Sequence, residues 1–227
     1  MSIAIFVIFA LLIIGGAIYN HYQSEKRRDA LRALALQNGW RFSESQESIE
    51  GRFPAFACLQ RGDDRYAYNL LEGGLTQGEM CGFDYHYETE STDSKGRRQT
   101  DDHYFSALAI DTGLPLKPLL IRSENFFDKI GGLFGYDDID FESAEFNRRF
   151  CVKAEDRRWA FDVIHQSTME FLLAAPEFTI QFGGSTIMAY RGGLFDVGDF
   201  EQARQVVVGI IDRLPEYLLR ELKGVEQ

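Results

Sequence analysis

Basic charge is scarce in this chain of 227 residues: 24 Lys and Arg stand against 35 Asp and Glu, for a net charge of −11. Such a field repels polyanions, which argues against nucleic acid as a partner. Cysteine is scarcer still. Cys58, Cys81 and Cys151 are odd in number, far apart and without C-x-x-C spacing. That excludes a disulfide framework or a cysteine zinc site and points to buried thiols in a reducing compartment. No N-x-[ST] sequon occurs. Catalytic signatures are missing too. Gly131-Gly132-x-x-Gly135 lacks the Lys-Ser/Thr of a phosphate loop, and Gly184-Ser185 lacks the last Gly of a nucleophile elbow. No Cys–His–Asn set has supporting spacing, no internal repeat is present, and no cofactor is expected.

What is present begins with grease. Ile3 to Tyr19 is seventeen residues without a charge, fifteen apolar and two Gly. As a helix it reaches about 26 Å, the short end of what crosses a bilayer. A cleaved signal peptide is the alternative. Against it, no Lys or Arg precedes the apolar run, and Gly15 and Ala17 are a weak cleavage match. Lys26, Arg27, Arg28 and Arg32 follow the run, so the positive-inside rule places the C-terminal side in the cytoplasm. The expected organisation is an anchor over 1–19, a helical juxtamembrane stalk over 20–39, a soluble domain over 40–222 and a tail over 223–227.

The chain as a whole is 45% hydrophobic and 14% aromatic, which suits a packed domain. Ser24 to Asn38 reads as a helix continuing the anchor, closed by Asn38-Gly39, with Leu31, Leu34 and Ala35 as a docking stripe. Arg65–Leu71, Met80–Tyr87, Tyr104–Ile110 and Leu119–Arg122 read as strands. Glu88 to Asp102 holds no apolar side chain and reads as the wet tip of a long hairpin, turning at Asp93-Ser94-Lys95-Gly96. Asn125 to Phe134 reads as a short amphipathic helix. Glu145–Lys153 reads as a strand, and Arg157–Ala175 as a helix capped by Asp156 and stopped by Pro176. Phe178–Phe182 and Thr186–Arg191 read as a hairpin around Gly183-Gly184. A final helix starts at Asp199 and is kinked by Pro215. The predicted class is α+β: an antiparallel sheet with packed helices, a β-rich first half and then a βαββα unit, behind one transmembrane helix.

Glu142-Ser-Ala-Glu-Phe-Asn-Arg-Arg-Phe150, Asp156-Arg-Arg-Trp-Ala160, Met169-Glu-Phe-Leu-Leu173 and Phe83-Asp-Tyr85 resemble a family of uncharacterised bacterial single-pass membrane-anchored proteins. The likeness runs from about Gly39 to Leu218. It implies a membrane helix, at a bacterial inner membrane, followed by a soluble α+β domain, and carries over no activity, cofactor or substrate.

Five candidate sites remain. Asp84, His86 and Glu88 share one strand face, opposite Phe83, Tyr85 and Tyr87. If the hairpin register pairs His86 with His103, two imidazoles and two carboxylates converge as a zinc or manganese set. A one-residue slip sets His103 opposite Tyr87 and destroys it. Without a metal this is a solvated polar face. Arg148, Arg149, Arg157 and Arg158 read as a structural ion-pair network with acids such as Glu142 or Glu145, or as an anion site. Asp137, Asp138, Asp140 and Glu142 form an acidic cluster without the Gly of a calcium loop, hence a solvated loop. His165 reads as a packed, hydrogen-bonded histidine on an apolar helix face. Phe126, Phe127, Ile130, Leu133 and Phe134 are core packing or, beside a bilayer, an interfacial helix. The leading function is a membrane-tethered binding or adaptor domain with a possible protein partner. The alternatives are a metal-dependent hydrolase using the hairpin cluster and a lipid or envelope-stress sensor.

Overall fold

An unbroken apolar run leading into an Ala- and Leu-rich segment, with no proline in either, lets one helix continue throughout. In the computed structural model, which describes residues 3–92, 96–123 and 136–224 (side chains before residue 21 only at 11, 14–16, 18 and 19), helix α1 spans Ile3–Asn38 without interruption. Gly39, at φ +70°, closes it: Gly39 N donates to Leu36 O and Trp40 N to Ala35 O at 2.8 Å, a Schellman cap. Leu31 and Ala35 are buried in the main core, with Leu34 packed beside them, as the docking stripe requires. Leu11, Ile14, Ile18, Tyr19 and Tyr22, further up the same helix, are exposed. Among the described residues no helix is long and apolar enough to cross a membrane. The span expected over Ile3–Tyr19 therefore rests on the sequence.

Among the described residues, six strands form one antiparallel sheet: β1 Arg41–Ser43, β2 Asp63–Leu75, β3 Gly78–Thr92, β4 Arg98–Ser123, β5 Phe150–Ala154 and β6 Thr179–Gly192. The α+β class and antiparallel pairing are as expected. Ala107 pairs with both Phe83 and Tyr190, and Ile121 with both Val152 and Ile180. β4 thus carries β3 and then β5 along one edge and β6 along the other. Helices α2 (Ala144–Arg149), α3 (Arg157–Val163), α4 (Gln166–Ala174), α5 (Val197–Ile211) and α6 (Glu216–Leu222) pack with it among the described residues.

Pleat parity divides the interior in two. Cys81, Phe83, Tyr85 and Tyr87 join Phe105, Ala107, Ala109, Met188 and Tyr190 under a cover made by Ile49, Phe53, Phe56, Cys58 and Leu59. The opposite face at Met80, Leu108, Ile110, Ile187 and Ala189 lies in the main core with Phe200, Ala203, Val207 and Ile210 of α5. Gly82 makes room there, since a Cβ would meet the Phe200 ring at 3.1 Å.

Several elements differ from expectation, each for a local reason. Glu145–Lys153 is not one strand. Ser143 Oγ accepts from Phe146 N at 3.2 Å, and Glu145 at the start and Arg148 and Arg149 at the end suit the helix dipole, so α2 forms and only Phe150–Ala154 pairs as strand. Phe146 and Phe150, both expected within that strand, meet at 5.0 Å between ring centroids as the chain passes from helix to strand. The helix expected over 157–175 breaks at Ile164, and α4 restarts behind His165 in extended conformation (φ −80°, ψ 175°). Gly183-Gly184 is not a turn: both flanks pair along β4, from Ile121↔Ile180 to Ser106↔Arg191. Gly183 lies against Ala55, where a Cβ would come within 2.7 Å, and Gly184 takes φ +62° opposite the register shifts of β4, so the pair sits inside one long strand. The βαββα unit is therefore βααβαα. The 119–122 segment continues β4 past bulges between Asp111 and Leu119. The hairpin tip is shorter than expected, because the ladder persists to Thr92↔Arg98. α5 begins at Val197, with Asp196 N donating to Asp199 Oδ2 at 2.7 Å, and Pro215 ends the run so that α6 is separate. The expected helix over 125–134 lies outside the described residues.

Candidate functional site

Beyond the reach of α5, the main-core face of β3 turns polar. Asp84 is fully buried there, between Phe83 and Tyr85 of the other face. Arg27 of α1 grips it through two bonds, Nε to Oδ2 at 3.0 Å and Nη2 to Oδ1 at 2.8 Å. Arg27 Nη1 also donates to Phe195 O at 2.6 Å. Asn69 Nδ2 adds a bond to Oδ2 at 2.9 Å, and Ser106 Oγ donates to Oδ1 while accepting from Phe195 N at 2.9 Å. Asn69 reaches in because it adopts φ +53° at the register shift between Tyr68 and Leu71. Every oxygen of this buried carboxylate is thus satisfied by charged or aligned donors, as a buried charge demands.

This node fastens α1 to the sheet, and a cavity of about 310 Å³ opens beside it. Its walls include Arg27 and Arg28 from α1, Glu44 and Gln46 from the following segment, Tyr68 from β2 and Leu194. Arg28 pairs with Glu44 at 3.4 Å and with Glu25 at 3.1 Å, so the lining is polar but close to charge-balanced. Burial, with Asp84 nearby, pushes the Tyr68 phenol well above its ordinary range, keeping it a neutral hydrogen-bonding group.

Further along the same face lies the predicted hairpin cluster, and the structure assembles only part of it. The register places His86 opposite Tyr104 and His103 opposite Tyr87, so the two histidines face opposite sides of the sheet. His103 stacks on Tyr87 with centroids 4.7 Å apart and meets Thr89 Oγ1 at 2.7 Å. Asp84 is committed to Arg27. His86 and Glu88 do share a face, joined by Asp102, which pairs directly across from Glu88. His86 is buried, with Nε2 2.9 Å from Asp102 Oδ1 and Nδ1 3.1 Å from Asp64 O. The polar face is therefore not simply solvated.

The arginine set does not converge. Arg149 Nε donates to Glu177 at 2.6 Å, and that bond holds the Glu177 carboxyl below its usual range. Arg158 sits 3.8 Å from Asp162 on its own helix, while Arg148 and Arg157 are exposed. Glu142 and Glu145 are not the partners. In the acidic loop, Asp138 accepts from Cys151 Sγ at 3.2 Å and pairs with Lys153 at 3.1 Å; both hold its carboxyl down, the cysteine bond foremost. His165 is hydrogen-bonded as expected, Nε2 lying 2.8 Å from Arg213 O, but it stands between two helices rather than on a helix face. Phe126, Phe127, Ile130, Leu133 and Phe134 lie outside the described residues.

Sequence reasoning missed the Arg27–Asp84 lock and the role of Asp102. A signal existed for Arg27: the stripe of Leu31, Leu34 and Ala35, extended back one turn, lands on it. No family model and no curated protein matches this chain. Among solved structures it is similar to the crystal structure of the mycobacterial trehalose monomycolate transport factor A, TtfA, with a TM-score of 0.58 and 15% identity over 89% of this chain and 97% of that one. That likeness shows a shared fold over nearly the full length of both.

Proposed function

We propose that this chain is a membrane-tethered binding or adaptor module that serves lipid handling from the cytoplasmic face, holding the polar head of a lipid in the cavity at the base of α1. The observation that carries the reading is the construction of α1. One helix bears an uncharged apolar segment at one end and, at the other, Arg27, Leu31 and Ala35 sunk into the domain. A domain held so stiffly to an apolar helix keeps a fixed height over whatever that helix enters. Ser24 to Arg28 lie about 8 to 14 Å beyond Tyr19 at 1.5 Å per residue, which sets the cavity at headgroup height if Ile3–Tyr19 spans the bilayer. The basic residues on that side favour the cytoplasmic leaflet. The similar fold of a trehalose monomycolate transport factor supports a lipid-related task. The balanced lining favours a neutral, hydroxyl-rich head over a bare phosphate.

A photo-crosslinking amino acid placed at Gln46, in the full chain in living bacteria, tests this. Lipid-mass adducts at that position, lost on Tyr68→Ala, are expected. Adducts to protein alone, or none, at both Gln46 and Leu194 would remove the lipid reading.

A further inference from the structure

We propose that His86, Glu88 and Asp102 form a divalent-cation site. This goes beyond the tethering reading and does not depend on it. The three ligand atoms lie within 4.8 Å of one another. The arrangement follows from strand geometry: His86 and Glu88 alternate onto one face of β3, and Asp102 is the cross-strand partner of Glu88.

The hydrogen bonding of His86 points to the ligand. Its Nδ1 faces the carbonyl of Asp64 at 3.1 Å and its Nε2 faces Asp102 Oδ1 at 2.9 Å. Both neighbours are acceptors when the carboxylate is ionised, and a neutral imidazole has one N–H. With Nδ1–H donated to the carbonyl, the Nε2 lone pair points at carboxylate lone pairs. In that tautomer a cation shared by Nε2 and the carboxylate is coordinated by both, and an Nδ1–H bond to a backbone carbonyl is the usual support for an Nε2 metal ligand. The support is built into the backbone. Asp64 adopts φ +45° at the β2 bulge between Asp63 and Tyr66, which brings its carbonyl to the ring. Tyr66 and Tyr104 flank the imidazole at 4.7 and 4.8 Å and fix its plane.

One neutral nitrogen and two carboxylates suit zinc or manganese and balance a 2+ charge. Atoms bound to one ion at about 2.1 Å stand at most about 4.2 Å apart. The exposed Asp102 and half-buried Glu88 side chains need to close only slightly. Three protein ligands leave positions open toward solvent beside the exposed Tyr104, the pattern of a site that takes water or a further ligand.

The test uses the full chain in detergent, stripped with chelator, then titrated with zinc and with manganese by calorimetry while the imidazole nitrogens are followed by NMR. One equivalent is expected, with the His86 Nε2 resonance shifted and affinity weakened at least tenfold in both His86→Ala and Asp102→Asn. His103→Ala should bind as the parent does. Asp102 is exposed, so its variant folds even if loss of His86 disturbs the sheet. The proposal is overturned if neither metal reaches one equivalent, if His86 keeps protons on both nitrogens with metal in excess, or if Asp102→Asn binds unchanged.

Discussion

Removing Arg27 should unfasten α1 from the sheet at a calculable cost. Asp84 is fully buried and Arg27 is 19% exposed. Arg27→Met leaves the carboxylate with only the Asn69 and Ser106 donors. Breaking a buried pair from one side costs about 3–5 kcal/mol, because the surviving charge stays desolvated. For a domain of this size that is a fall in melting temperature of roughly 6 to 20 °C. Asp84→Asn should lose a similar amount, leaving the guanidinium facing an amide. Arg27→Lys should not rescue, since one ammonium cannot reproduce the two-pronged bond. The double variant Arg27→Met, Asp84→Leu should recover most of the loss, because no unpaired charge remains. Urea unfolding of the full chain in detergent, followed by the fluorescence of Trp40 near the end of α1 and Trp159 in the main core, provides the readout. Single variants that lose under about 1 kcal/mol, the range of an exposed pair, would refute the claim that this bond locks the helix.

Gly183→Ala should cost about 1–3 kcal/mol by crowding Ala55, whereas a glycine in an open hairpin turn would tolerate it; chemical denaturation distinguishes the two. The thiols of Cys81 and Cys151 are pushed up to about 12 and about 11, both mainly by burial, so the folded chain should resist a disulfide reagent at pH 8 and react fully in urea. Glu72, Asp138 and Glu177 have folded-state pKa values lowered by their partners, Arg41, Cys151 and Arg149 foremost. A lowered carboxylate stabilises the fold above its unfolded pKa, about 4, and that contribution is lost as pH falls through the folded value. Melting temperature should therefore hold from pH 6 to 8 and decline below about pH 4, less steeply in Glu177→Gln.

The parts of the fold legible in the sequence are those where one period fits and no other does. Phe83, Tyr85 and Tyr87 alternate cleanly and do form a core face. Leu31, Leu34 and Ala35 fit only a helix and do dock. Phe146 and Phe150 fit both periods, and the Ser143 cap decided for helix at the first of them. Gly183-Gly184 suits a turn or a close approach inside a strand, and only the long partner strand β4 selects the strand. His103 falls opposite Tyr87, the second of the two registers the sequence allowed, because no local pattern sets hairpin register and a slip of one residue reverses every side chain. The Asp84 lock joins residues 57 apart in sequence, which no local period reveals.

Under the proposed function α1 is both membrane segment and docking helix. Full-length chain expressed in bacteria and washed with alkaline carbonate measures this directly. The full chain should stay in the membrane pellet, and a chain starting at Asn20 should move to the supernatant with its domain folded. Full-length protein released by carbonate, or a shortened chain that stays in the pellet, would contradict it.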